Sequence, residues 1–281
     1  MKKLILIFIF CGLALKGFAF SAGDLFIKNS RFWQNQVSLS ILEQNLISAG
    51  LIFDLTKHKD RKDQIYAFYV PFVLKLSILD LTINPFWYPD TNNAQAYGGS
   101  IKIESLIRND EINNTYVKGY LQAAFANQKA NIARGLTPVN KENFKQFAFE
   151  GGLNLNLANL YNFNLNGNIF TYPDDVKNVS YFGGIMNQSD IADLGTIDYV
   201  LNFPEFSAGG SITWISAENT TKTSISYKYI NYENNLIAHS VMFRTIIPLT
   251  ENLITTLIYN HIFATHHTNK DIFGIGLNYL F

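Results

Sequence analysis

The chain has 281 residues, enough for one large domain, and its 22 Lys and Arg are balanced by 22 Asp and Glu. The absence of net charge gives no indication of a nucleic-acid partner. Charged residues make up 16% of the chain and aromatic residues 15%, whereas ordinary soluble domains are about 25% charged. This composition indicates a protein with a large apolar surface.

Residues 1–19 have the layout of a secretory signal peptide. Two lysines precede an apolar run from Leu4 to Leu15, which is shorter than the about 20 residues that a transmembrane helix needs. Cleavage is expected after Ala19, with cleavage after Ser21 as an alternative. Cys11, the one cysteine of the chain, lies in this segment, so we expect a mature protein without disulfides or cysteine metal sites.

Alternating polar and apolar residues recur from about residue 48 to the end of the chain. Period-two alternation is typical of a strand with one apolar and one polar face. No apolar stretch of about 18 residues follows the signal peptide, which excludes transmembrane helices. The apolar faces are predicted at Tyr97, Ile101, Ile103 and Ile107; Val117, Leu121 and Phe125; Phe147, Phe149, Leu153, Leu155 and Leu157; Phe163, Leu165 and Ile169; Ile225, Tyr227 and Tyr229; and Ile237, Val241, Phe243 and Ile247. The strand at 251–265 is apolar on both faces.

The last predicted strand ends on an aromatic residue. Its apolar face consists of Phe273, Ile275, Leu277, Tyr279 and Phe281. This ending resembles the C-terminal assembly signal of Gram-negative outer-membrane β-barrel proteins. The resemblance implies an outer-membrane barrel with its apolar face on lipid and its polar face on the lumen. The implied partners are outer-membrane lipid, lipopolysaccharide and the barrel-assembly machinery, which would bind the C-terminal strand.

The lengths of the connections predict the number of strands. Bacterial single-chain barrels have an even number of strands, short periplasmic turns and longer outer loops. Counting back from a periplasmic Phe281 places the long connections 127–143 and 171–206 outside and a tight turn at Leu157–Leu160 in the periplasm. An all-β, antiparallel up-and-down barrel of about twelve strands, spanning residues 48–281, satisfies this scheme.

Two features of the chain leave the strand count open. If both 36–42 and a segment within 171–206 were strands, the barrel would have fourteen strands. In a twelve-strand barrel, residues 20–47 remain as an N-terminal segment, which lies in the periplasm or plugs the lumen. Such a segment could include a short helix around Ser40 to Ile47.

The polar faces place both charges and aromatic residues in the predicted lumen. Rings of charge can set the electric field of a pore, or pair with one another and help to close it. Tyr116 and Tyr120 could stack on a solute, although filling of the lumen is the simpler interpretation. The predicted lumen-lining charges are Asp54, Lys75, Asp80, Lys102, Glu104, Lys118, Glu150, Lys222, Lys228 and Arg244.

No catalytic, metal or cofactor motif stands out. His239-Ser240 suggests a lipid hydrolase, but adjacent strand residues point to opposite faces and cannot meet as base and nucleophile. His266-His267 are expected in an outer loop, where they could bind a metal adventitiously. His58 lies in a charged hairpin tip that could contact lipopolysaccharide phosphates. We therefore predict neither an enzyme nor a cofactor.

A porin-like channel for passive diffusion of small hydrophilic solutes, monomeric or trimeric, fits the sequence best. The first alternative is a closed barrel that acts through its outer loops as an adhesin, with 171–206 as the main contact. The second alternative is an outer-membrane lipid hydrolase with catalytic groups at the rim.

Overall fold

Antiparallel strands make up nearly all of the described chain. The computed structural model describes residues 19–28, 32–42, 46–58, 64–89, 94–134, 140–173, 179–181, 203–216, 221–233, 237–265 and 269–281. No helix in those ranges is long and apolar enough to cross a bilayer. The strands are β1 (Ala19–Lys28), β2 (Phe32–Leu42), β3 (Ile47–His58), β4 (Gln64–Tyr69), β5 (Phe72–Lys75), β6 (Leu79–Tyr88), β7 (Ala94–Asp110), β8 (Thr115–Arg134), β9 (Asn140–Leu157), β10 (Tyr161–Thr171), β11 (Val179–Tyr181), β12 (Pro204–Ile215), β13 (Lys222–Tyr232), β14 (Ile237–Pro248), β15 (Leu253–Ala264) and β16 (Lys270–Leu280).

The sheet closes into a barrel. Strands that follow one another in the chain are paired around the ring, and β1 pairs with β16, from Ser21 opposite Leu280 to Lys28 opposite Phe273. Strands β4 and β5 share one position between β3 and β6, and β11 extends the sheet beside the end of β8. The sixteen described strands therefore form a wall of fourteen positions. Closure leaves no strand edge of this wall unpaired, as a bilayer requires.

The prediction of about twelve strands is therefore wrong, and the alternative of fourteen is confirmed. The two additional strands are β1 and β2, whereas the fourteen-strand alternative drew one strand from 171–206. The prediction of residues 20–47 as a separate segment or plug is also wrong, because these residues supply both strands of the first hairpin. Adding two strands at the N-terminus keeps the count even, so every later connection stays on its predicted side.

The fourth position of the wall is interrupted at Val70 and Pro71. Proline has no N–H group for the strand ladder. Backbone hydrogen bonds still join this break to both neighbours, since Gly50 N donates to Pro71 O at 2.8 Å and Val70 N donates to Pro85 O at 3.1 Å. The interruption therefore leaves the wall closed.

The two ends of the barrel differ in their connections. One end, the turn end, carries Phe281 and turns such as Ala158–Leu160, where Leu160 N donates to Leu157 O at 2.9 Å. Ala158 and Asn159 have φ of 51° and 57° there, the left-handed backbone of a tight turn. The predicted turn at Leu157–Leu160 is thus confirmed.

The opposite end, the loop end, carries the longer connections. The predicted connection 127–143 is shorter than expected, because β8 continues to Arg134 and β9 begins at Asn140. The predicted connection 171–206 contains β11, and most of its remaining residues lie outside the described ranges, as do His266 and His267.

The outer surface of the barrel is a belt of apolar side chains. Leu121 is 72% exposed and Leu165 64% exposed, and the predicted assembly-signal residues of β16 also point outward, with Phe273 at 58% and Phe281 at 60%. Exposed apolar area on this scale is unfavourable in water and favourable in lipid. The apolar belt therefore indicates a barrel whose outer surface is surrounded by lipid.

Candidate functional site

The lumen is the candidate site, and the structure sorts its ten predicted charges into groups. All ten lie on strands whose partners place them on the inner face. One group joins β6, β7 and β8, a second lies on β13 and β14, and the others stand apart. The first group is Asp80, Lys102, Glu104 and Lys118; the second is Lys222, Lys228 and Arg244; the others are Asp54, Lys75 and Glu150.

The first group forms a connected set of ion pairs, which we call the paired wall. Lys118 Nζ lies 3.2 Å from Asp80 Oδ2 and 3.1 Å from Glu104 Oε1, and Lys102 Nζ lies 3.3 Å from Glu104 Oε2. Each acid thus has a base within contact distance, and two acids neutralise two bases. Lys75 lies opposite Asp80 in the β5–β6 pairing, but the Asp80 carboxylate contacts Lys118.

Tyr120 lies between the paired wall and Glu150. The Lys102 ammonium stands 4.2 Å from the centroid of the Tyr120 ring, and the Tyr120 hydroxyl donates to Glu150 Oε1 at 2.6 Å. Gly152 is directly opposite Tyr120 on β9, and a side chain at this position would overlap the ring. Tyr120 is therefore a fixed part of the wall. Tyr116 lies closer to the turn end than Tyr120, with its ring centroid 6.0 Å from Lys118 Nζ.

Asparagines continue the paired wall around the barrel. Asn154 Nδ2 donates to Glu104 Oε2 at 3.2 Å, Asn164 Nδ2 donates to Asn154 Oδ1 at 2.6 Å, and Asn166 Nδ2 donates to Asn164 Oδ1 at 3.1 Å. The alternation in residues 151–170 placed these amides on the inner face. It did not identify them as partners of a carboxylate, because that contact depends on the register between β7, β8 and β9.

The second group, on β13 and β14, we call the cationic wall. Lys228 and Arg244 border an open cavity of about 320 Å³ that also touches Lys102, Tyr120 and Glu150 across the lumen. A second cavity of about 430 Å³, at the turn end, is bordered by Lys222 and again by Arg244. Arg244 therefore lies where the two cavities meet.

Buried side chains, both apolar and polar, fill the loop-end half of the lumen. Asp54 lies there on the inner face but is only 3% exposed, so it does not line the open cavity as predicted. Its carboxylate accepts a hydrogen bond from the Gln34 amide, and the hydroxyls of Tyr69 and Tyr88 hydrogen-bond to each other nearby. Two buried clusters occupy this half: Ile52, Ala67, Tyr69, Phe86, Tyr88, Ala96 and Ala126; and Ile27, Ile230, Tyr232, Ala238, Ile262 and Ile272.

The one suggested catalytic pair does not form. His239 faces outward, where its Nδ1 is 2.8 Å from the Tyr227 hydroxyl, whereas Ser240 faces the lumen and donates to Asn260 Oδ1 at 2.7 Å. A second outward-facing group joins His261 and Tyr259 to Asp271 Oδ1, at 2.6 and 2.8 Å. Within the described ranges, no three His, Cys, Asp or Glu side chains are grouped to hold a metal ion.

Comparisons with known proteins agree on the fold. No family model matches the chain, and no curated protein matches it in sequence. Among solved structures it is similar to the CymD monoaromatic hydrocarbon channel (TM-score 0.56, 8% identity, 94% of this chain and 88% of that chain). It is also similar to Pseudomonas aeruginosa OccK8 (OprE), with TM-score 0.52, 8% identity and coverage of 94% and 97%, and to the NanC porin, with TM-score 0.46, 10% identity and coverage of 92% and 98%. The first two similarities show that the chain has the closed, antiparallel fold of bacterial outer-membrane β-barrels.

Proposed function

We propose that this barrel is a channel for passive diffusion of small hydrophilic solutes across the outer membrane. The observation that carries the proposal is the open, polar cavity between the paired and cationic walls, which meets the turn-end cavity at Arg244. Amide and hydroxyl groups of Asn154, Asn164 and Ser226 also line it. Such groups exchange hydrogen bonds with water and with solute at little cost, so a polar molecule can move along them.

Conductance in planar bilayers tests this proposal. The purified protein is first shown to be folded by heat-modifiable migration on a denaturing gel, and is then reconstituted at low density. Discrete conductance steps are the expected result. Folded protein that inserts but gives no steps would contradict the channel function.

One observation favours a second candidate, a closed barrel that acts through its outer loops. The loop-end half of the lumen contains two buried apolar clusters, and packed apolar side chains resist the entry of water. An adhesin-type barrel would give no conductance steps and would bind a surface or partner through its loop-end connections. The same bilayer measurement therefore separates the two candidates.

The hydrolase alternative receives no support from the described side chains. A nucleophile has to lie within hydrogen-bond reach of its base, and the wall of the barrel separates His239 from Ser240. We therefore propose that the protein is a channel without an enzymatic activity.

The proposed partners follow from the outer surface. Outer-membrane lipid and lipopolysaccharide would cover the apolar belt, and the barrel-assembly machinery would recognise the C-terminal strand through Phe281 and the outward residues before it. Phe281→Ala is expected to lower the amount of folded barrel in the outer membrane, as measured by heat-modifiable migration in membrane fractions. Assembly of this variant at the wild-type level would show that the ending is not the signal.

A further inference from the structure

The charges around the open cavity differ in sign between its two sides. Lys228 and Arg244 border it from the cationic wall, and Lys102 borders it from the paired wall. Among the described residues, Glu150 is the one acid that lines this cavity, and it accepts a hydrogen bond from Tyr120. Lys102 is paired with Glu104. Three basic side chains and one acid therefore line the open space, and two of the three basic side chains lie on β13 and β14.

The turn-end cavity has the same sign. Lys222 and Arg244 border it. Asp24 also lines this cavity, but its side chain is on the outer face, where its Oδ1 accepts a hydrogen bond from Asn35 Nδ2 at 2.5 Å. A solute that crosses from one cavity to the other would therefore meet cationic side chains in both.

Arg244 has the geometry of a binding group at this junction. It lines both cavities, and its Nε is buried without a hydrogen-bond partner. A guanidinium group presents its N–H donors as a planar fork that matches the two oxygens of a carboxylate or phosphate. A buried donor without a partner is unfavourable, and an oxyanion at this point would supply the missing acceptor.

We propose that the pore selects anions, and that Arg244, with Lys222 on the next strand, binds the carboxylate or phosphate group of a passing solute. This inference rests on the proposed channel function. It identifies the solute class as small hydrophilic anions, because the hydroxyl- and amide-bearing residues Ser224, Ser226 and Asn164 line the same cavity as Arg244. A cation of the same size would meet repulsion at the same place.

Reversal potentials in a potassium chloride gradient test the selectivity. The wild-type pore is expected to pass chloride faster than potassium. The double variant Lys222→Gln/Arg244→Gln is expected to lower the chloride-to-potassium permeability ratio by at least about five-fold, because a single unit charge about 4 Å away already contributes about 1 kcal/mol in water. Arg108→Gln is the matched control, since Arg108 is exposed and pairs with outward-facing Val117, and it is expected to leave the ratio unchanged.

Uptake into liposomes tests the solute class with three probes of similar size: gluconate, sorbitol and glucosamine. Gluconate is expected to enter fastest and glucosamine slowest, and inorganic phosphate in a parallel arm is expected to compete with gluconate. Arg244→Lys keeps the charge and removes the fork. It is expected to retain chloride selectivity while weakening the competition by phosphate.

The outcomes separate this inference from the channel function itself. Conductance steps with a ratio at or below one in the wild type would overturn anion selection and leave the channel intact. An unchanged ratio in the folded double variant would overturn the role of Arg244 and Lys222. Folded protein without any steps would overturn the channel, and the inference with it.

Discussion

The paired wall and the cationic wall carry charges on the same inner face of the same barrel, yet the charges are arranged differently. On the paired wall, Lys118 contacts both Asp80 and Glu104, so that the charges neutralise one another and join β6, β7 and β8. On the cationic wall, Lys228 and Arg244 border the open cavity, and among the described residues the one acid that lines this cavity is Glu150 on β9. A charged side chain that faces the lumen can therefore form ion pairs that stabilise the wall, or it can attract or repel a solute in the pore. The side chains next to it determine which of the two it does.

The same substitution on the two walls gives the largest expected contrast. Lys118→Gln removes two half-buried ion pairs and is expected to lower the free energy of unfolding by about 2 kcal/mol. Lys222→Gln is expected to change it by less than about 0.5 kcal/mol, as for an exposed site. Urea unfolding of the detergent-refolded barrel, followed by tryptophan fluorescence, measures both. Equal losses in the two variants would remove the distinction between the walls.

Gly152 tests how firmly Tyr120 belongs to the paired wall. Gly152→Ala places a methyl group where the Tyr120 ring lies, so the ring has to move away from Glu150. We expect a cost of about 1–3 kcal/mol in the free energy of unfolding. Gly151→Ala is the matched control, because its Cβ would lie 3.5 Å from Leu121 Cδ2, an ordinary contact. A Gly152→Ala barrel as stable as the control would mean that Tyr120 is not held in place.

The outer face gives the smallest expected effect. His239→Ala removes the outer-face contacts with Tyr227 and Tyr229 and no group that faces the lumen. Conductance and ion selectivity are expected to stay at the wild-type values, and stability to change by less than about 1 kcal/mol. Neither protein should release fatty acid from phospholipid vesicles. Release that disappears in the variant would instead support the hydrolase alternative.

The alternation in the sequence was sufficient to predict which side chains face lipid in β9, β10 and β16, because these strands have one apolar and one polar face. It did not predict β1 as a strand, and in β1 Leu25 and Ile27 point inward while Asp24 points outward. The inverted pattern arises because the inward residues lie against the interior of the barrel, as Ile27 does in a buried cluster. The alternation of β15 was ambiguous for the same reason, since Ile258 and Ile262 are buried inside.

The sequence was sufficient to predict which charged residues face the lumen, but not which of them contact one another. Each of the ten charges lies on its predicted face. The pairing of Lys118 with Asp80 depends on the registers of two strand pairs, and the β7–β8 register shifts between Leu106 and Arg108. Asp54 could not be separated from the other charges, because its burial depends on how side chains of neighbouring strands, such as Gln34 on β2, pack against it.

The pairing of the first and last strands makes a circular permutant of this barrel possible. Ser21 lies directly opposite Leu280, so a short linker could join the two ends, and new ends could be opened at the turn of Ala158–Leu160, at the same rim. Such a circular permutant would keep every strand pair but would end on Leu157, an apolar residue without an aromatic ring. Its assembly in cells would therefore show whether assembly requires a C-terminal aromatic residue such as Phe281 or only a C-terminal strand.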